Sequence, residues 1–263
     1  MPSNRQRKLD AVVARLQLQY GPKAVRKAAP PAEPITRLAT TFAELDGALG
    51  GGLPAGRITE IIGAATSGKA TLAAKVLVTA HAGRNASSPG TGQGLVAWLD
   101  LPRTSDPDYL HRCGVDLSRL LVVRPRDGAD ALAITLHLVE SDAPSTGSGR
   151  GLAALIFDAT AQSGDSVSPD PATLAGSLER LATLVTQTQT AVIFLTGPRG
   201  YSRTLAHVAT VRLALRHEHW ITRGDDVRGY EAQVEIVKHR LGQAGAVIPL
   251  RIVFNGTVRG AGL

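Results

Sequence analysis

Cysteine is almost missing from this chain of 263 residues: Cys113 is the only one. A lone thiol excludes an intrachain disulfide and any metal site built on clustered cysteines. His217-Glu-His219 would put two imidazoles on one strand face, but no third ligand stands nearby, so no metal site is expected. No apolar run reaches the length of a membrane span. The opening Met1-Pro-Ser-Asn-Arg leads into polar sequence rather than a signal peptide. Internal repeats are absent too. A soluble cytoplasmic protein without membrane contact is the expectation.

What is present is apolar residue, at 43%, and positive charge, at a net +7. The first is enough for a substantial core, and the length suits one large α/β domain with a small appendage. The charge is uneven. Residues 1–37 carry eight Lys/Arg against Asp10 and Glu33, residues 38–198 carry 11 basic and 15 acidic groups, and residues 199–263 carry 10 and 5. Basic ends around a mildly acidic middle suit nucleic acid or an acidic protein partner.

The stretch Arg57-Ile-Thr-Glu-Ile-Ile-Gly63-Ala-Ala-Thr-Ser67-Gly68-Lys69-Ala70-Thr71 organises the rest. A short apolar run ends at Gly63, and Leu72, Ala73, Val76 and Leu77 then recur at helical spacing. Strand, glycine loop and helix N-terminus are the context of a phosphate-binding loop. Two glycines let backbone N–H groups wrap an anion, and the helix adds its positive end. Lys69 can reach the outer phosphates of a nucleotide. The residue after it should carry the hydroxyl that holds Mg²⁺, but Ala70 has no ligand atom; Thr71 could still touch an inner phosphate. Leu152-Ala-Ala-Leu-Ile-Phe-Asp158 is an apolar strand ending in an acid, which behind such a loop orients a metal-bound water.

Residues 5–20 read as an amphipathic helix, with Leu9, Val12, Val13, Leu16 and Tyr20 in one stripe and a basic opposite face. Gly21-Pro22 ends it, and residues 28–34 form a stiff proline linker. Buried parallel strands are expected at 58–62, 95–99, 120–123, 152–157 and 191–195. Helices are expected near 69–82, 106–113, 129–140 and 171–187, giving a βαβ series. Beyond 205 the pattern turns to antiparallel strands at 206–216, 230–238 and 248–254, with a polar turn at 223–226. Loops rich in Gly, Ser and Thr fall at 84–94, 143–151 and 161–170.

Several of these stretches together resemble the RecA recombinases. Residues 5–27, with Leu-Gln-Tyr-Gly-Pro-Lys, look like their N-terminal helix. Residues 38–77, with Leu45-Asp-Gly-Ala-Leu-Gly-Gly-Gly-Leu-Pro-Ala-Gly-Arg57, look like the approach to their phosphate loop. Asp100 to Tyr109, Gly114-Val-Asp-Leu, and Val234-Glu-Ile-Val-Lys238-His-Arg240 follow in order. The resemblance implies a RecA-like P-loop NTPase core of class α/β. Its central sheet would be mostly parallel and flanked by helices, with antiparallel C-terminal strands and an N-terminal helix. The expected units are an N-terminal helix and linker over 1–37 and the core over 38–263, without the family's C-terminal domain. By the same resemblance Asp106 meets the adenine amino group, Tyr109 stacks on the base, and Lys238 and Arg240 reach the nucleotide of a neighbouring protomer. The N-terminal stripe would pack on that neighbour as a homo-oligomer contact.

Three departures accompany these matches. Where RecA has a catalytic glutamate two residues after the aspartate ending the second core strand, this chain has Pro102. Where RecA has a γ-phosphate-sensing amide after the strand at 191–195, it has Thr196-Gly197. With Ala70, water activation, γ-phosphate sensing and metal retention are lost together, so no catalytic residue is assigned. The second DNA loop is shortened to Pro198-Arg199-Gly-Tyr201-Ser-Arg203-Thr204, which still offers two arginines around an aromatic for single-stranded DNA. The first, near 161–170, is acidic and suits DNA poorly. This combination is similar to the ImuA proteins, RecA-like or SulA-like accessories of bacterial mutagenic translesion synthesis. The function implied is a scaffold in an SOS-type DNA-damage-tolerance complex with polymerase partners. It would bind ATP or ADP at Gly63, Ser67, Gly68, Lys69, Ala70, Thr71, Asp106, Tyr109 and Asp158, with weakly held Mg²⁺. The alternatives are a divergent DNA-dependent ATPase and a nucleotide-free module such as a cell-division inhibitor.

Overall fold

The computed structural model describes residues 4–21, 35–82, 94–141, 151–160, 171–199, 201–254 and 258–260. The loops expected at 84–94, 143–151 and 161–170 fall outside these residues except for Gly94 and Gly151, as does the proline linker at 28–34. By its contacts the chain divides into residues 1–35 and 36–263. The first unit holds helix α1, Asn4–Tyr20, which closes with the Gly21 N–H on the Gln17 carbonyl at 2.9 Å. It carries the stripe positions Val12, Val13, Leu16 and Tyr20; the Leu9 side chain lies outside the description.

The second unit starts with β1, Arg37–Leu38, helix α2, Ala43–Leu49, and β2, Leu53–Pro54, which pairs antiparallel with β1. The main alternation then runs β3, Ile58–Gly63; α3, Lys69–His81; β4, Leu95–Asp100; α4, Pro107–Arg112; β5, Leu120–Val123; α5, Gly128–Glu140; β6, Leu152–Asp158; α6, Pro171–Thr188; and β7, Ala191–Thr196. It ends with α7, Arg203–Val208, and strands β8, Val211–Arg223; β9, Asp226–His239; β10, Val247–Phe254; and β11, Val258–Gly260.

Among the described residues, nine strands form one sheet in the order β11-β10-β9-β8-β3-β7-β6-β4-β5. Pairing is parallel from β5 through β8 and antiparallel from β8 to β11. Every residue of β3, β6 and β7 is buried, which is why these strands read as continuous apolar runs. One face packs on α2, α3 and α4, the other on α5, α6 and α7. Helix α3 is buried nearly all round, so its small residues Ala73, Ala74 and Ala80 let it lie close against the sheet.

One expected strand is corrected. The apolar alternation from 206 does not begin a strand; residues 203–208 form α7, and β8 starts at Val211. Ser202 caps this helix by accepting the Leu205 N–H at 3.0 Å, and Leu205 is buried against the sheet. Capping and docking of one leucine override a weak strand preference.

Candidate functional site: a phosphate-binding loop between β3 and α3

The loop joins the buried end of β3 to the buried start of α3. Gly63 admits no side chain, since a Cβ there would lie 2.6 Å from the Leu215 carbonyl oxygen. Gly68 has φ 92°, in the left-handed region, and a Cβ on it would lie 2.9 Å from the Tyr230 hydroxyl. The Lys69 ammonium donates to the carbonyls of Gly63 at 2.9 Å and Ala64 at 2.6 Å. Those bonds curl the loop around the lysine and leave one of its three protons for an anion. Burial pulls the Lys69 pKa down to about 8, against the pull of Asp158. The Ser67 hydroxyl is fully buried and has no hydrogen-bond partner among the described residues.

Asp158 ends β6 directly beside Asp100 at the end of β4. Burial raises the Asp158 pKa, with Asp100 adding to it, while the hydrogen bonds from Thr160 and the charge of Lys69 oppose the rise. Thr160 donates its N–H at 3.0 Å and its hydroxyl at 2.5 Å, both to Oδ1. The Asp100 carboxylate is wrapped by the next loop, accepting the N–H of Thr104 at 2.9 Å and the N–H and hydroxyl of Ser105 at 3.2 and 2.6 Å. Pro102 sits inside that wrap. Asp106 caps α4, its carboxylate accepting the Asp108 N–H at 2.9 Å. Helix α4 thereby presents Tyr109 to the loop, and the Tyr109 and Thr71 hydroxyls share a 2.5 Å hydrogen bond. Lys75 secures the other end of α4, donating to the Cys113 carbonyl at 2.9 Å. Gly63, Ser67, Gly68, Lys69, Ala70, Thr71, Tyr109 and Asp158 are thus gathered at the strand ends, with Asp106 at the head of the adjoining helix.

The remaining sequence-predicted residues lie elsewhere. Lys238 donates to the carbonyls of Ala206 and His207 at 2.7 and 2.8 Å, and Arg240 also bonds His207; both cations cap the C-terminal end of α7. Arg199 and Arg203 are exposed. Tyr201 is a correction: its ring turns inward against Phe157 and Phe194, with centroids at 5.9 and 6.1 Å, and its hydroxyl is buried. It is core packing rather than a platform for a base. The shared face of His217 and His219 is corrected too. A bulge at Glu218 opposes His217 to Ala232 and His219 to Glu231, which sends the two imidazoles to opposite faces. His217 packs on Trp220, and His219 meets Glu231 at 3.4 Å.

Two residues of this region were missed. Glu60, fully buried in β3, accepts Arg212 Nε at 2.7 Å, the Tyr201 N–H at 3.1 Å and the Thr196 hydroxyl at 3.2 Å. A lone charged residue in a mostly apolar strand was the available signal. Tyr230 gave none, because only the sheet register brings β9 to the loop.

The sequence profile of the RecA N-terminal domain family matches residues 7–259. Among curated proteins the chain is similar to Protein RecA of Streptomyces avermitilis, 33% identical over 257 residues, covering 91% of this chain and 66% of that protein. Protein RecA of Clavibacter michiganensis is 32% identical over 257 residues, 91% of this chain and 68% of its own length. That of Leifsonia xyli is 32% identical over 258 residues, 91% and 70%. The chain therefore spans about two thirds of the length of these relatives. A phosphate loop at the strand ends of a mostly parallel sheet, antiparallel strands beyond it, and a match over nearly the whole sequence agree: the chain belongs to the RecA N-terminal domain family.

Proposed function

We propose that this protein binds an adenine nucleotide in the β3–α3 loop and serves DNA-damage tolerance as a scaffold, with hydrolysis at or near background. The observation that carries the reading is a formed phosphate loop whose neighbours lack the groups for chemistry. Lys69 is anchored on Gly63 and Ala64 with a proton to spare, and the buried Ser67 hydroxyl, without a partner among the described residues, is suited to an anion. Ala70, Pro102 and Gly197 bring no oxygen or nitrogen side-chain atom to the metal, the water or the γ-phosphate. Phosphates would be held by Lys69 and the loop N–H groups, and the base by Tyr109 and Asp106. Magnesium would find the buried Asp158 carboxylate, while its neighbour Asp100 is already taken up by Thr104 and Ser105, and would therefore be held weakly. Membership of the RecA family supports a role in repair or recombination. The pattern of missing groups favours an accessory of the ImuA kind, working with translesion polymerase partners. Arg199 and Arg203 remain as exposed cations for single-stranded DNA. Lys238 and Arg240 would reach a neighbour's nucleotide by releasing the end of α7.

The test is a titration with a fluorescent ADP analogue beside steady-state ATP turnover. Wild type binds and Lys69→Ala does not, and turnover stays near background with single-stranded DNA. A DNA-stimulated rate of about 1 per second or more would replace the scaffold with a DNA-dependent ATPase. Equal binding by wild type and Lys69→Ala would overturn the pocket at this loop, and no binding by wild type would remove nucleotide from the function altogether.

A further inference from the structure

Thr71 lies in the first turn of α3, and its buried hydroxyl is held from two sides: by Tyr109 at 2.5 Å and by Tyr230 at 2.9 Å. Where Thr71 gives its single proton to Tyr230, a phosphate oxygen can accept from Thr71 only by displacing that phenol. Tyr230 comes from β9 and is only 6% exposed. Its ring is fixed among Trp220, His217 and Phe254, with centroids at 5.7, 5.8 and 5.8 Å. This places its hydroxyl over Gly68 as well as Thr71. The two bonds also bring the phenolic oxygens of Tyr109 and Tyr230 together. They meet across Thr71 in the space where a nucleoside held on Tyr109 would enter. An oxyanion without a nucleoside needs neither the Thr71 hydroxyl nor that space.

Resting on the nucleotide reading above, we propose that Tyr230 is a latch: it closes the nucleoside side of the loop by holding Thr71, and a nucleoside phosphate binds only by breaking that bond, whereas pyrophosphate binds with it closed. The latch sets the selectivity of the site between the two ligands. Its ring cluster carries the event outward to Trp220, which is 50% exposed and is one of two tryptophans in the chain.

The experiment titrates ADP and pyrophosphate into wild type and Tyr230→Phe by calorimetry, with thermal melts to verify folding. Tyr230→Phe keeps the ring and frees Thr71. It is expected to bind ADP about three- to tenfold more tightly, the worth of one net hydrogen bond, with pyrophosphate affinity unchanged. In a Trp98→Phe background ADP shifts Trp220 fluorescence and pyrophosphate does not. Equal or weaker ADP binding by Tyr230→Phe overturns the latch and leaves the nucleotide pocket standing. If neither protein binds ADP, the pocket falls and the latch with it. Should Tyr230→Phe fail to fold, the Trp98→Phe protein carries the test alone: a Trp220 fluorescence shift with pyrophosphate equal to that with ADP overturns the latch.

Discussion

Lys69 ties the site to pH. Burial lowers its pKa from 10.5 to about 8, so the ammonium that would meet a phosphate is present below about pH 8 and lost above it. ADP affinity measured at pH 7 and pH 9 is expected to fall about tenfold across that interval. A flat profile would show that the lysine is not the anion's partner. The same shift acts on stability with the opposite sign: the folded state holds this proton less tightly than the unfolded one, so this group alone adds stability as pH climbs from about 8 towards 10.5. Glu60 is the other residue on which much depends. It is fully buried, and its partner Arg212 is 21% exposed on the side chain. Glu60→Gln leaves a mostly buried guanidinium without its counter-charge and is expected to cost about 3 kcal/mol. Denaturant unfolding measures this, and adding Arg212→Met to Glu60→Gln should recover most of the loss, since the amide still accepts from the Tyr201 N–H and the Thr196 hydroxyl. A pair whose removal costs less than 0.5 kcal/mol would be ornamental.

At the scale of elements, α7 is the fragile piece. It has six residues, and it is held by the Ser202 cap at one end and by Lys238 and Arg240 at the other. A helix so short has little stability of its own. Lys238→Met removes two hydrogen bonds from its C-terminal carbonyls. Amide exchange in 203–208 should then speed up while exchange in β3 and β7 stays slow; uniform protection would mean that the helix is held by Leu205 alone. This helix was also the element misread as strand. The misreading shows why long apolar runs such as β3, β6 and β7 were legible when α7 was not. A strand buried on both faces imprints every residue, whereas a six-residue helix rests on one cap and one leucine.

For the whole molecule the question is what α1 does beyond its own unit. Its stripe at Leu9, Val12, Val13, Leu16 and Tyr20 is more apolar surface than one helix can bury in itself. Burying three such side chains contributes on the order of 5 kcal/mol before ordering costs. A chain beginning at Ile35 should therefore stay monomeric in light scattering, while full-length protein gains mass with concentration. If both remain monomers and both retain the same partners, the helix is a cap on its own chain.

The order of strands and helices from 58 to 196, the glycine–lysine loop and the residues at Ala70, Pro102 and Gly197 were determined by the sequence, because each is local: a buried run, two glycines with a lysine, a single substitution. Tertiary structure decided what depends on register and on faces. It put Tyr230 of β9 against Thr71, turned Tyr201 into the core, separated His217 from His219 by one bulge, and gave Glu60 its arginine across β3 and β8. Residues far apart in the chain meet only when strands pair, and the pairing of β8 with β3 and β9 is a property of the assembled sheet.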